Sequence, residues 1–230
     1  MMISNEADFM IKGVFKYELF GQEFWITTTH IGMWIVSIAL VILAIFARRQ
    51  MTKAKDVPGV FQNILEIAVE MLDKLVGATM GKNGGKFLNY VGTIFAFILF
   101  CNISGLFGLR APTADFGVTF GLGILTAILI HYNGIKRNKI KHFTNLFQPF
   151  PILFPINFIG EIANPLSISL RLFGNMMSGV VILGIWYGLM PIFANIGIPT
   201  FLHAYLDLFS GCIQTYVFCM LTMVYINDKM

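Results

Sequence analysis

One arginine stands inside an otherwise apolar or small-residue run, Pro165-Leu166-Ser167-Ile168-Ser169-Leu170-Arg171-Leu172-Phe173-Gly174-Asn175-Met176-Met177-Ser178-Gly179. On a helical wheel of ~100° per residue, Asn164, Ser167, Asn175 and Ser178 fall within about 40° of Arg171, and Glu161 within about 80°. A guanidinium at mid-bilayer depth costs about 2.5–3.5 kcal/mol on insertion scales, so it belongs against a partner or a wet cavity rather than lipid. Ser and Asn taken singly read as glue between helices, but a permanent charge is seldom used that way. A second constellation lies further on. With Gln214 as reference, Thr200, His203, Asp207 and Ser210 fall within about 40° of it, a polar ladder on an apolar helix. His203 and Asp207 are an i,i+4 pair able to share a proton or a hydrogen bond. Intramembrane Asp and His are the residues of proton relays; the plainer reading is a neutral pair joining two helices.

Both constellations need a membrane around them, and the composition supplies it. The 230 residues are 57% hydrophobic and 12% charged, with a mean hydropathy of +0.74. Soluble domains carry about 25% charged residues, so the chain reads as a single all-α polytopic membrane domain. Cys101, Cys212 and Cys219 lie in apolar runs without ligand spacing, which implies neither a disulfide nor a metal site. The net charge of +4 comes from cations clustered where segments leave the membrane. That pattern sets topology and needs no nucleic-acid partner. A Walker A motif, a dinucleotide-binding glycine motif and a metal-ligand pattern are all missing, so no cofactor and no catalytic site are expected on this chain.

About five membrane-embedded helices and one interfacial helix must position the polar groups. Residues 1–29 read as an external N-terminal segment without a cleaved signal peptide. A first span, 30–47, stops at Arg48-Arg49, an end that the positive-inside rule makes cytoplasmic. Residues 57–80 alternate apolar positions with Glu66, Glu70, Asp73 and Lys74, too polar to span and suited to the interface. A solvated face explains Glu66 and Glu70 better than an ion vestibule does. Further spans are expected at 87–107, where Asn102 and Ser104 could line a wet entrance or hold helices together, and at 116–132, which runs into the basic stretch Lys136–His142. That stretch is a topological anchor first, with anionic lipid or a stator partner second. The Arg171 segment, 156–189, and the last segment, 200–225, exceed the ~20 residues of a perpendicular span and must tilt.

The run SLRLFGNM, preceded by Glu161 and Asn164-Pro165, resembles the signature of subunit a of bacterial F-type ATP synthases. The likeness continues in order through Trp34–Arg49, Pro58/Asn63/Glu66, FILFCNISGL at 97–106 and GCIQTYVFCMLTMVY at 211–225. The resemblance implies an ion-translocating stator beside a rotating c-ring, with the last two segments as a slanted hairpin against that ring. It implies Arg171 as the group facing the c-ring carboxylate, and peripheral stalk subunit b and, indirectly, the catalytic head as further partners. It also implies a multi-pass protein of a bacterial inner membrane, N-terminus outside and C-terminus cytoplasmic. Some members place a glutamate nine residues after the arginine, where this chain has Val180; the histidine some members carry seven residues before the glutamine is Asp207 here. Asp207 is therefore the expected half-channel carboxylate, with His203 one turn away. The outward route is expected through Asp207, Ser210, Gln214, Asn175 and Asn102, the inward one past Glu161 and Asn164, with Ser178 a further half-channel residue. Whether H⁺ or Na⁺ is carried stays open. A self-contained cation channel or secondary transporter would commonly show paired repeats with broken helices, and none is visible. A membrane scaffold would have no use for Arg171.

Overall fold

The computed structural model describes residues 13–19, 22–52, 59–138, 154–189 and 197–229. Its elements are a short hairpin and then helices. Strand β1 (Gly13–Leu19) pairs antiparallel with β2 (Gln22–Thr27). The sequence expectation of an irregular external segment holds no strand; Phe15, Tyr17 and Leu19 alternate with Lys16 and Glu18 as a strand does, while Phe24-Trp25-Ile26 is a continuous apolar run. Thr27 then caps α1 (Thr28–Met51), its hydroxyl 2.8 Å from His30 Nδ1.

The other helices are α2 (Val60–Met80), α3 (Leu88–Ile103, extended by a 3₁₀ turn to Phe107), α4 (Phe116–Asn138), α5 (Phe154–Leu189) and α6 (Ile198–Asp228). Five of these six, all but α2, are long and apolar enough to cross a membrane. The described chain is thus an all-α polytopic membrane protein with one small hairpin. Helix α4 continues past Tyr132, where its apolar stretch ends, through Lys136 and Arg137. Pro149, Pro151 and Pro191, Lys53 and Lys55, and residues 139–142 of the basic stretch lie outside the described residues.

Helix α2 leaves Val60, Ile64, Ile67, Val69 and Met71 exposed and buries only Val76 and Met80. Its charges serve its own surface: Gln62 Nε2 donates to Glu66 at 2.7 Å, and Lys74 pairs with Glu70 at 2.7 Å. That hydrogen-bonded ammonium holds the Glu70 carboxyl below its usual range. These are the features of a solvated helix face.

The core lies among α3, α4, α5 and α6, where Val91, Ile94, Ile98, Ile168, Leu172, Met176, Phe218, Met223 and Ile226 are buried together. Lipid tails are as apolar as these side chains, so close packing and interhelical hydrogen bonds must hold the bundle. Glycines permit the approach. A Cβ on Gly123 of α4 would sit 2.0 Å from Ser169 Oγ and 2.9 Å from the Pro165 carbonyl of α5. One on Gly211 of α6 would sit 2.9 Å from the Asn102 Cβ of α3. Gly123→Ala must therefore push α4 from α5, and overpacking of this kind costs about 1–3 kcal/mol. The expected result is a lower melting temperature of the detergent-solubilised protein; an unchanged value would show that the helices can part without cost.

Candidate functional site

Helix α5 has 36 residues, about 54 Å at ~1.5 Å each, far more than a ~30 Å hydrocarbon layer requires. It can lie only steeply tilted. Pro165 sits inside it and gives up one backbone donor; the Pro165 carbonyl takes a hydrogen bond from Ser169 Oγ at 2.8 Å. One face of α5, carrying Ile168, Ser169, Leu172, Met176, Gly179 and Leu183, is buried in the bundle. The opposite face carries Asn164, Ser167, Arg171, Asn175 and Ser178, all exposed. The helix thus turns its apolar side inward and its charged, polar side outward. In a membrane that orientation is stable only if another protein surface or water covers the outer face.

Arg171 makes no hydrogen bond or ion pair with any of the described residues. One turn on, Asn175 Nδ2 donates to Gln214 Oε1 of α6 at 2.6 Å, and Ser178 Oγ closes onto the Asn175 carbonyl at 2.9 Å. Gln214 is 3% exposed, and its own Nε2 finds no partner among the described residues. An amide donor left open in a buried place calls for a ligand, water or ion.

At one end of the bundle, α6 departs from regular α-helix. Residues Ala204–Phe209 form a π turn between the α-helical stretches Ile198–His203 and Ser210–Asp228. Such turns recur at functional sites, and this one buries Asp207. Asp207 Oδ2 lies 2.6 Å from His203 Nδ1, whose ring in turn places Nε2 3.1 Å from the Tyr187 hydroxyl at the end of α5. Against the carboxyl stands Gly105, where an added Cβ would meet Asp207 Cγ and Oδ2 at 3.2 Å. Ser210 is half-buried on the next turn, while Thr200 is exposed.

Asn102 has another task. It is fully buried, its Nδ2 donates to the Gly211 carbonyl at 2.9 Å and to Thr215 Oγ1 at 3.1 Å, and its Oδ1 accepts from Thr113 at 2.6 Å. Both amide hydrogens are spent on holding α3 to α6, so Asn102 is placed as a structural knot rather than as pore lining. Ser104, also buried, donates back to the Cys101 carbonyl at 2.7 Å.

The opposite end holds a cavity of about 230 Å³ among α4, α5 and α6, lined by His131, Glu161, Asn164, Tyr225, Asp228 and Lys229 among others. Glu161 takes a salt bridge there from Lys229, joining the start of α5 to the end of α6. The two polar ends are therefore separate. Glu161 lies ten residues before Arg171 and Tyr187 sixteen after it along one helix, about 15 Å and 24 Å respectively.

Sequence spacing located Arg171, its seam and the His203–Asp207 pair, because all of these are periodic within one helix. It missed Tyr187, Lys229, Gly105, Thr113 and Thr215, which reach the site only through contacts between helices.

The ATP synthase A chain family matches residues 30–227. Among curated relatives, the sodium ion-specific ATP synthase subunit a of Propionigenium modestum is 39% identical over 223 residues, covering 90% of this chain and 75% of that protein. Subunit a of Desulforamulus reducens is 37% identical over 208 residues, covering 87% and 78%, and that of Bacillus velezensis is 32% identical over 235 residues, covering 92% and 95%.

Proposed function

The chain belongs to the ATP synthase A chain family, and on that footing we propose that it is the ion-translocating stator subunit of a rotary ATP synthase, with two offset half-channels separated by Arg171. The observation that carries the reading is the exposed Arg171 face of α5, a charge with no partner among the described residues on a helix whose other side is buried in the bundle. The cover this face needs is a ring of subunit c helices, each with a carboxylate. Peripheral stalk subunit b and, through it, the catalytic head complete the assembly.

At ~4 Å and an effective dielectric near 20, a guanidinium attracts a carboxylate by about 4 kcal/mol. At ~1.36 kcal/mol per pKa unit, that lowers the carboxylate's pKa by about three units before desolvation is subtracted. Arg171 thus favours the unloaded rotor site and drives release of its H⁺ or Na⁺. Away from Arg171, in lipid, the carboxylate must be neutralised by reloading. The fixed charge also repels cations and blocks a direct leak between the half-channels. Each ion crossing 100 mV supplies about 2.3 kcal/mol to bias rotation.

The outer half-channel is built around Asp207 and His203 and continues by Ser210, Gln214, Asn175 and Ser178 toward Arg171. The inner one opens at the Glu161–Asn164 cavity. Orientation follows from charge: Arg48, Arg49, Lys136 and Arg137 gather at the cavity end, which the positive-inside rule makes cytoplasmic. The hairpin end is then external, in a bacterial inner membrane. Purification tests the reading directly. The chain is expected to co-purify with an oligomeric c-ring whose carboxylates react with a carbodiimide. Transport by the isolated chain, with no ring, would replace this reading with that of a self-contained channel.

A further inference from the structure

Exposure falls stepwise along one hydrogen-bonded line at the outer end: 44% at Tyr187, 30% at the His203 side chain and 9% at the Asp207 side chain. The two bonds, 3.1 Å and 2.6 Å, use both ring nitrogens of His203. From this line we propose that Tyr187 is the entry residue of a three-group relay, Tyr187–His203–Asp207, which admits protons and not sodium to the outer half-channel. The proposal rests on the stator reading above and assigns the ion and the entry point.

The chemistry follows from the inventory of donors. A carboxylate can only accept, so with Asp207 ionised the short bond at Oδ2 fixes the neutral imidazole proton on Nδ1. Nε2 then carries the lone pair, and the Tyr187 hydroxyl donates to it. Suppose a hydronium ion arrives at the exposed phenol. Its proton joins the Tyr187 oxygen while the hydroxyl proton passes to Nε2 and the Nδ1 proton passes to Asp207 Oδ2. One hydronium becomes water, one carboxylate becomes a carboxylic acid, and the phenol and imidazole end neutral. The ring is left with its proton on Nε2, and a ring flip or exchange with water restores the first tautomer. Nothing is oxidised or reduced. Sodium has no comparable path, because Nδ1–H points at the one short contact of the carboxylate and the phenol stands over Nε2. Gly105 crowds the same carboxyl from the other side, where even a Cβ would stand only 3.2 Å from Asp207 Cγ and Oδ2.

Passive conduction through the reconstituted membrane sector, measured in the complete assembly after release of its catalytic head, tests the relay. Tyr187→Phe keeps the ring and its packing and removes only the hydroxyl. It is expected to slow proton conduction about tenfold, a modest loss for one proton-transfer group because water can partly replace it. Because the two residues act in series, Tyr187→Phe should add no further loss in a His203→Gln background. Imidazole added on the outside should restore conduction to the Tyr187→Phe complex, which a purely structural role would not allow. Wild-type conduction by the Tyr187→Phe complex, independent losses in the double variant, failure of imidazole to rescue, or sodium conduction by the unmodified complex would each overturn the relay. Arg171→Ala run alongside keeps the two questions apart: normal coupling in that variant defeats the stator reading itself, whereas its loss beside a silent Tyr187→Phe defeats the relay alone.

Discussion

Replacing Arg171 with alanine is expected to abolish ion-coupled ATP synthesis and ATP-driven pumping while leaving the complex assembled. Assembly should survive because Arg171 holds nothing within its own chain among the described residues. The apolar face of α5 that packs into the bundle, with Leu172 and Met176, is untouched by the change. Removing a buried cation from an intrachain pair would leave an unpaired charge and destabilise the fold; among the described residues Arg171 has no such pair to break. On the stator reading, what should disappear is the attraction to the rotor carboxylate, about 4 kcal/mol, or roughly a thousandfold in the loaded-to-unloaded ratio. Lysine is expected to serve poorly in its place, because a desolvated ammonium can give up its proton and become part of the leak it should prevent. Pumping in reconstituted vesicles, followed by a pH- or Na⁺-sensitive dye and paired with a check that the c-ring still co-purifies, measures both halves of the expectation. Normal pumping by the variant would end the case for this residue.

Asp207→Asn should slow transport by about a hundredfold, whereas Val180→Ala should change it little. The asparagine keeps the shape of the carboxyl and can still accept from His203 Nδ1, so the π turn and its neighbours are preserved. It cannot take up and release a proton, and the loss of one acid–base group costs about 10²–10⁴-fold. Val180 is the position where some relatives of this kind carry a glutamate, but here it packs half-buried against the bundle core. Trimming it removes two methyl groups and costs on the order of 1–2 kcal/mol of stability with no change in charge. Proton-driven ATP synthesis rates of the two variants decide the matter, and equal rates would take Asp207 off the ion path.

Much of this architecture was written in local sequence pattern. The five long apolar segments and the amphipathic α2 follow from runs of hydrophobic residues and from charge spacing, both of which a single chain displays. The polar seam at Arg171 and the His203–Asp207 pair were equally visible, since residues three and four apart meet on any helix. The π turn carried no such signal. It changes the phase of α6 between Ala204 and Phe209, so a uniform wheel drawn through that segment cannot say which groups share a face. Asn102 shows the other limit. As a polar residue near a helix end it reads equally well as pore lining or as glue, and only the positions of Gly211, Thr215 and Thr113 decide for glue. Tyr187 and Lys229 were invisible for the same reason: their partners lie 16 and 68 residues away, across turns whose direction no periodicity reports.

The glycine contact between α4 and α5 has a mechanical meaning. If Arg171 meets a rotor as proposed, each pull on it pushes back on whatever carries it, and a support that bends would dissipate the stroke as heat. Gly123 lets the backbone of α4 bear directly on the Pro165–Ser169 turn of α5, only a few residues from the charge. Only the short Ser169 side chain, itself hydrogen-bonded to the Pro165 carbonyl, and that carbonyl stand at the joint, so little there can yield. On the stator reading, the recoil of each rotor step would thereby pass into α4 and the bundle behind it.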